Sequence, residues 1–109
     1  MFSKKERVKK KKDFEYIFKK GDNFSNPFFI LKKKENNLSF SRFAFIAPSK
    51  IFSTAVEKNK AKRKIKEGVK EFYPLIKKGF DLIFIARKKG TFLETRENLK
   101  DVLNKAKLI

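Results

Sequence analysis

The chain contains no cysteine and no histidine. Without thiols there is no disulfide scaffold, and without either residue there is no Cys/His zinc site, no thiolate nucleophile and none of the commonest general base. Acids are scarce too: 12 Asp and Glu stand against 30 Lys and Arg, a formal charge of +18. No spacing of carboxylates suggests a paired acid/base site or a metal cage, so a catalytic residue and a protein-held metal ion are not expected. Asp13, Glu67 and Asp81 read as caps, ion-pair partners or strand-end residues. No apolar run approaches the roughly 18 residues that a membrane helix needs. The opening Met-Phe-Ser-Lys-Lys-Glu-Arg is not followed by the apolar region of a signal peptide. A cytoplasmic location without a membrane partner is the expectation.

What is present is a basic chain able to fold. Its 109 residues suit one domain, and Leu, Ile, Val and Phe make up 35 of them, above the level at which so charged a chain stays disordered. Fourteen phenylalanines suggest an aromatic-rich core. A charge of this size repels itself unless an anionic partner neutralises it. The cations run along the whole chain, which favours a folded basic domain over a globule with a basic tail.

Residues 1–12, with six Lys and one Arg, have few apolar positions and read as a basic N-terminal arm. Asp13 looks like the N-cap of a short helix carrying Phe14, Ile17 and Phe18, closed by Gly21. Phe24 to Lys32 reads as a strand with Pro27 near its start or at an edge. A second strand, Leu38 to Ala47, is expected to pair antiparallel with it. A helix capped by Ser53 or Thr54 runs to about Phe72, ahead of Pro74. Asp81 to Ala86 is an apolar run suited to a strand covered on both faces. A last helix carries Leu99, Val102, Leu103 and Ala106, capped at Thr95 or through a Thr91–Glu94 capping box. There is no internal repeat and no linker. The order α-β-β-α-β-α implies an α+β sandwich of one sheet with helices packed on it.

The helix beginning near Ser53 is the chief functional signal. Ala61, Ile65, Gly68, Val69 and Phe72 form one narrow apolar stripe, and Gly68 within it suggests close approach to another element. Lys58, Lys62, Arg63, Lys66 and Lys70, with Asn59, fill an adjacent arc of roughly 140°. No carboxylate lies between Lys58 and Lys66, so the i,i+4 ion pairs that normally support a solvated charged face are missing. Lys58, Asn59 and Lys60 also lie near the positive end of the helix dipole, where phosphates are favoured. Each phenylalanine is more simply core than a base-stacking platform. A small domain rarely buries so many, however, and aromatics beside a basic helix make a single-strand surface.

In register with these features, the chain resembles the protein subunit of bacterial ribonuclease P. Arg7-Val8-Lys9-Lys10, Asp13-Phe14 and Phe18-Lys19-Lys20-Gly21 resemble the opening helix of that family. Arg42-Phe43-Ala44-Phe45, leading to Ser49-Lys50, resembles its strand motif. Ala55 through Glu67 resembles its Arg-Asn-Arg signature helix, and Gly79-Phe80-Asp81 through Ile85-Ala86-Arg87 its Gly-Tyr-Asp strand. Both signature arginines are lysines here, Lys58 and Lys60, which keep the charge without the bidentate fork. Ser53-Thr54 replaces the usual Gly-Asn, and Lys32 stands where an aromatic residue is common.

The resemblance implies a sandwich with a left-handed βαβ crossover. It also implies a binding cofactor for a ribozyme that removes the 5′ leader of precursor tRNA, a ribonucleoprotein endonuclease in tRNA processing with no small-molecule substrate. By that likeness Lys58, Asn59, Lys60, Lys62, Arg63 and Lys66 face the ribonuclease P RNA subunit, and Phe14, Phe18, Phe29, Phe43 and Lys50 line a leader cleft. Mg²⁺, bound mainly through the RNA, supplies the chemistry, and no residue of this chain is catalytic. The rival reading is a ribosomal or general RNA-chaperone protein, with the same charge and no leader cleft.

Overall fold

The computed structural model describes residues 3–109; Met1 and Phe2, the start of the expected arm, lie outside the described residues. Helix α1 (Lys11–Lys20) precedes strands β1 (Asp22–Ser25), β2 (Phe29–Glu35) and β3 (Arg42–Ile46). Helix α2 (Ala55–Phe72), strand β4 (Phe80–Ala86) and helix α3 (Phe92–Lys105) complete the α+β sandwich, with 3-10 turns at Lys4–Glu6 and Tyr73–Leu75.

The sheet runs β1-β2-β4-β3. Its arrangement follows from β4, whose Leu82, Ile83 and Phe84 are wholly buried. A strand apolar on both faces is stable only between two neighbours and under helices on both sides. Accordingly β2 pairs antiparallel with β4, and β3 pairs parallel with it, Arg42 opposite Asp81. The antiparallel pairing expected between the first two strands does not form, because it would have left β4 at an exposed edge. The β3–α2–β4 segment is instead a βαβ unit around the central strand.

The strand expected over Phe24–Lys32 is two strands, and the cause is Asn26. Its buried Oδ1 accepts from the N–H groups of Phe28 and Phe29, both at 2.9 Å. Its Nδ2 donates to the Asn98 carbonyl at 2.8 Å and to Asp101 Oδ2 at 3.0 Å. This Asx-type turn reverses the chain at Pro27 and folds β1 antiparallel onto β2. The element order therefore gains a strand.

Alternation along β2 and β3 divides the core between the two faces of the sheet. Phe29, Leu31, Phe43, Leu82 and Phe84 pack beneath Ile65, Val69 and Phe72 of α2 and Leu99, Val102 and Leu103 of α3. Ala44 and Ile83 on the other face meet Ile17 of α1 and Val8. Gly68 is where α2 crosses α3: a Cβ there would lie 2.4 Å from Leu99 Cδ1, so any other residue would force the wholly buried Leu99 side chain to shift. Lys33, on the α3 side of β2, donates to the Ala106 carbonyl at 2.8 Å. Its ammonium lies 5.4 and 5.0 Å from the Phe24 and Phe80 ring centroids, so one cation caps the negative end of α3 from an aromatic setting.

Helix ends follow local chemistry, with two differences from expectation. Thr54 caps α2, accepting from the Glu57 N–H at 3.1 Å, and α3 begins with the Thr91–Glu94 capping box rather than at Thr95. Asp13 is not a cap: Lys10 holds that position and Asp13 sits in the first turn of α1, where its charge complements the helix dipole. Gly21 does follow α1 but with φ −76°, in extended conformation. Its missing Cβ matters because one would approach the Ile17 carbonyl oxygen at 2.6 Å.

The expected arm is attached from Ser3 onward. Val8 is buried and its N–H donates to the Phe43 carbonyl at 3.0 Å, Arg7 bridges parallel to Phe43, and Glu6 accepts from the Tyr73 hydroxyl. One apolar residue suffices to dock this segment because the terminal strand β3 supplies the backbone partner.

Candidate nucleic-acid interface

Parallel pairing of β3 with β4 leaves β3 at the end of the sheet, α1 to one side and α2 to the other. Between them runs a groove of about 600 Å³. Asn59, Lys62, Arg63, Lys66, Glu67 and Lys70 of α2 form one wall, and Phe14, Arg7 and Val8 the other. Phe43, Ala44 and Phe45 of β3 form its floor.

The cations of this wall are uncompensated. Among the described residues no ion pair joins Lys62, Arg63, Lys66 or Lys70 to a carboxylate. The acids of α2 that are paired turn away from the groove: Glu57 meets Lys89, in the loop before α3, at 2.8 Å, and Glu71 meets Arg96 of α3 at 2.6 Å. Hydrogen bonds from Lys89 and Arg96 hold both carboxyl groups below the ordinary carboxylate range. The helix thus carries its ion pairs on one flank and free positive charge on the other. Lys66 reaches over the groove floor, its ammonium 5.9 Å from the Phe45 ring centroid.

The opposite wall adds aromatic surface. Phe14 and Phe18, one helical turn apart, stack with centroids 6.5 Å apart. Phe18 is exposed, and the Lys32 ammonium lies 5.3 Å from its ring. Next to Arg7, Glu6 accepts from the Tyr73 hydroxyl, a hydrogen bond that lowers the Glu6 carboxyl and raises the Tyr73 phenol from their ordinary values. Tyr73 also packs on Phe43, with centroids 5.9 Å apart.

The residues singled out from the sequence are thus partly brought together. Asn59, Lys62, Arg63, Lys66, Phe14 and Phe43 line one groove, and Phe18 adjoins it. Lys58 is half-buried in the first turns of α2 and lies outside the groove lining. Lys60 turns to the other flank, into a smaller hollow of about 170 Å³ with Lys64, Lys88 and Lys89. Lys50 is exposed in the turn before α2. Phe29 is not a groove residue: it shares the parity of Leu31 on β2 and is buried beneath α2 and α3. Arg7, Val8 and Phe45 are groove residues that sequence reasoning missed. For Phe45 the signal was its place beside Phe43 in the strand motif, and for Arg7 and Val8 their place in the opening motif; what the sequence could not show was their contact with β3.

Among the described residues no group of three or more Asp, Glu, His or Cys converges to hold a metal ion. No helix among them is long and apolar enough to cross a membrane.

Fold and groove define a class, a small α+β sandwich presenting a cation-walled groove at the end of its sheet. The family model described as Ribonuclease P matches residues 2–107. A ribonuclease P protein component of Thermotoga petrophila is 38% identical over 88 residues, covering 81% of this chain and 74% of that protein. The solved RNase P protein of Staphylococcus aureus is 34% identical with a TM-score of 0.86, covering 94% of this chain and 96% of that one. That of Thermotoga maritima is 32% identical with a TM-score of 0.83, covering 92% and 96%. The chain belongs to the ribonuclease P protein family, whose members are components of a ribonucleoprotein endoribonuclease that processes tRNA.

Proposed function

We propose that this protein binds the ribonuclease P RNA subunit and the 5′ leader of precursor tRNA, and so promotes removal of the leader. The observation that carries this reading is the groove itself, with an acid-poor cationic wall on α2 facing the Phe14–Phe18 pair. Phosphates of a single strand are attracted to Lys62, Arg63, Lys66 and Lys70, while unpaired bases stack on the aromatic side. Lys58 and Lys60, which lie outside the groove lining, are left for the RNA subunit, in line with the motif likeness. In this reading Mg²⁺ held mainly by the RNA supplies the cleavage chemistry, and among the described residues no group of three or more Asp, Glu, His or Cys converges to hold such an ion. The protein's part is to bind and orient, in a cytoplasmic ribonucleoprotein.

Reconstitution tests this directly. Added to a bacterial ribonuclease P RNA at low Mg²⁺, the protein is expected to restore cleavage at the leader junction, and the protein alone to cleave nothing. RNA binding without stimulation would place it with general RNA chaperones.

A further inference from the structure

We propose that Asp13 is a positioning residue, which sets the rotation of α1 and thereby aims Phe14 into the groove; this rests on the groove's reading as a single-strand site. Helix α1 is lightly anchored. Ile17 is its one fully buried residue, and its N-cap, Lys10, makes no side-chain capping bond. Phe14 is half-buried against the same small cluster as Ile17, but a ten-residue helix with so few apolar anchors can roll about its axis, and rolling moves Phe14, Phe18 and their stack together. A polar contact fixes the angle that these few anchors leave open. Asp81, buried on the central strand, accepts from Arg42 Nε at 2.8 Å and Arg42 Nη2 at 2.6 Å. Asn36 Nδ2 donates to the same carboxylate at 3.0 Å.

That bidentate lock leaves Arg42 Nη1 directed at α1, where Asp13 Oδ2 receives it at 3.4 Å. Asp81 and a hydrogen bond to its carboxylate hold the Arg42 guanidinium firmly protonated, so the charge facing Asp13 is constant. Asp13 immediately precedes Phe14. The relay therefore runs from the sheet's central strand to the residue beside the groove's aromatic wall, and Asp13 itself does not line the groove.

The charge-removing variant Asp13→Asn separates this role from bulk electrostatics by sign. Deleting a carboxylate raises the net charge from +18 to +19 and by itself strengthens binding of a polyanion. Misaimed stacking weakens it. Stacking is a large share of single-strand affinity, so the expected loss is roughly three- to tenfold in Kd. The probe is a short fluorescein-labelled single-stranded RNA, titrated against the full chain across a salt series, with ribonuclease P RNA and a thermal melt in parallel. Asp13→Asn is expected to weaken the oligonucleotide while sparing the salt slope and ribonuclease P RNA affinity, with no more than the small drop in melting temperature that losing one first-turn carboxylate brings. Asp13→Glu, which keeps a carboxylate within reach of Arg42, is expected to restore most of the loss.

Phe14→Leu serves as the control for the groove. If Phe14→Leu weakens the oligonucleotide and Asp13→Asn leaves it unchanged or tighter, positioning is overturned and the groove stands. If Phe14→Leu has no effect, the single-strand site fails and the role of Asp13 with it. If Asp13→Asn lowers both affinities together with the melting temperature, Asp13 merely holds the fold and the proposal is wrong.

Discussion

Single residues divide by strand parity and helix face more sharply than their types suggest. Phe14, Phe29 and Phe43 are the same amino acid, yet Phe29 is core, Phe43 is a buried floor and Phe14 is half-open to the groove. Phe29→Ala is expected to destabilise the protein by about 3–5 kcal/mol, the usual cost of deleting a buried aromatic, read from chemical denaturation. The cations of α2 divide in the same way. Lys62→Ala with Lys66→Ala removes two groove cations and, where both meet phosphates as proposed, is expected to lower the salt slope of single-strand binding by about 1.4. An unchanged slope in a titration over salt would show these lysines to be merely solvated. The equivalent pair at Lys58 and Lys60 straddles the helix and is expected to affect the groove less.

Among elements, α2 was the most legible in the chain. Thr54, the apolar stripe and the acid-free arc all occur where helical spacing puts them, because cap, core face and charged face are local properties of one periodic segment. Thr54→Ala is expected to cost about 1 kcal/mol, as capping losses do, measured by thermal melting. Gly68→Ala tests the packing that spacing could only suggest. Alanine gains about 1 kcal/mol of helix propensity, but its Cβ would meet the wholly buried Leu99. A net loss of about 1–3 kcal/mol is expected from such overpacking, and a stabilised variant would refute the close approach. The short first elements were harder to read. Asn26 ends β1 through bonds to residues 98 and 101, which no local window contains.

At the scale of the whole molecule, charge governs stability as well as binding. Hydrogen bonds and nearby cations hold Glu6, Glu57, Glu71, Glu94 and Asp101 below their ordinary values. A depressed carboxylate contributes stability above its unfolded pKa and loses it as pH falls through the folded pKa. Protonating all 12 acids also leaves 30 cations unopposed. Stability is therefore expected to fall steeply below about pH 4, and added salt to oppose self-repulsion at neutral pH. Circular dichroism melts over a pH and salt grid check both trends. A saturating polyanion is expected to raise stability by about 2.7 kcal/mol at a hundredfold excess over its Kd.

Composition, charge and periodicity by themselves determined that this chain makes one basic α+β domain with an uncompensated cationic helix, because those features are local or additive along the chain. Motif order placed it beside its family. Only the tertiary structure decided which cations share a surface with which phenylalanines. That depends on β4 taking the centre of the sheet, which sends β3 to the end, brings α1 and α2 to either side of it and turns Phe29 inward. Pairing between distant strands is set by the burial of both faces of β4, a competition among all the strands at once.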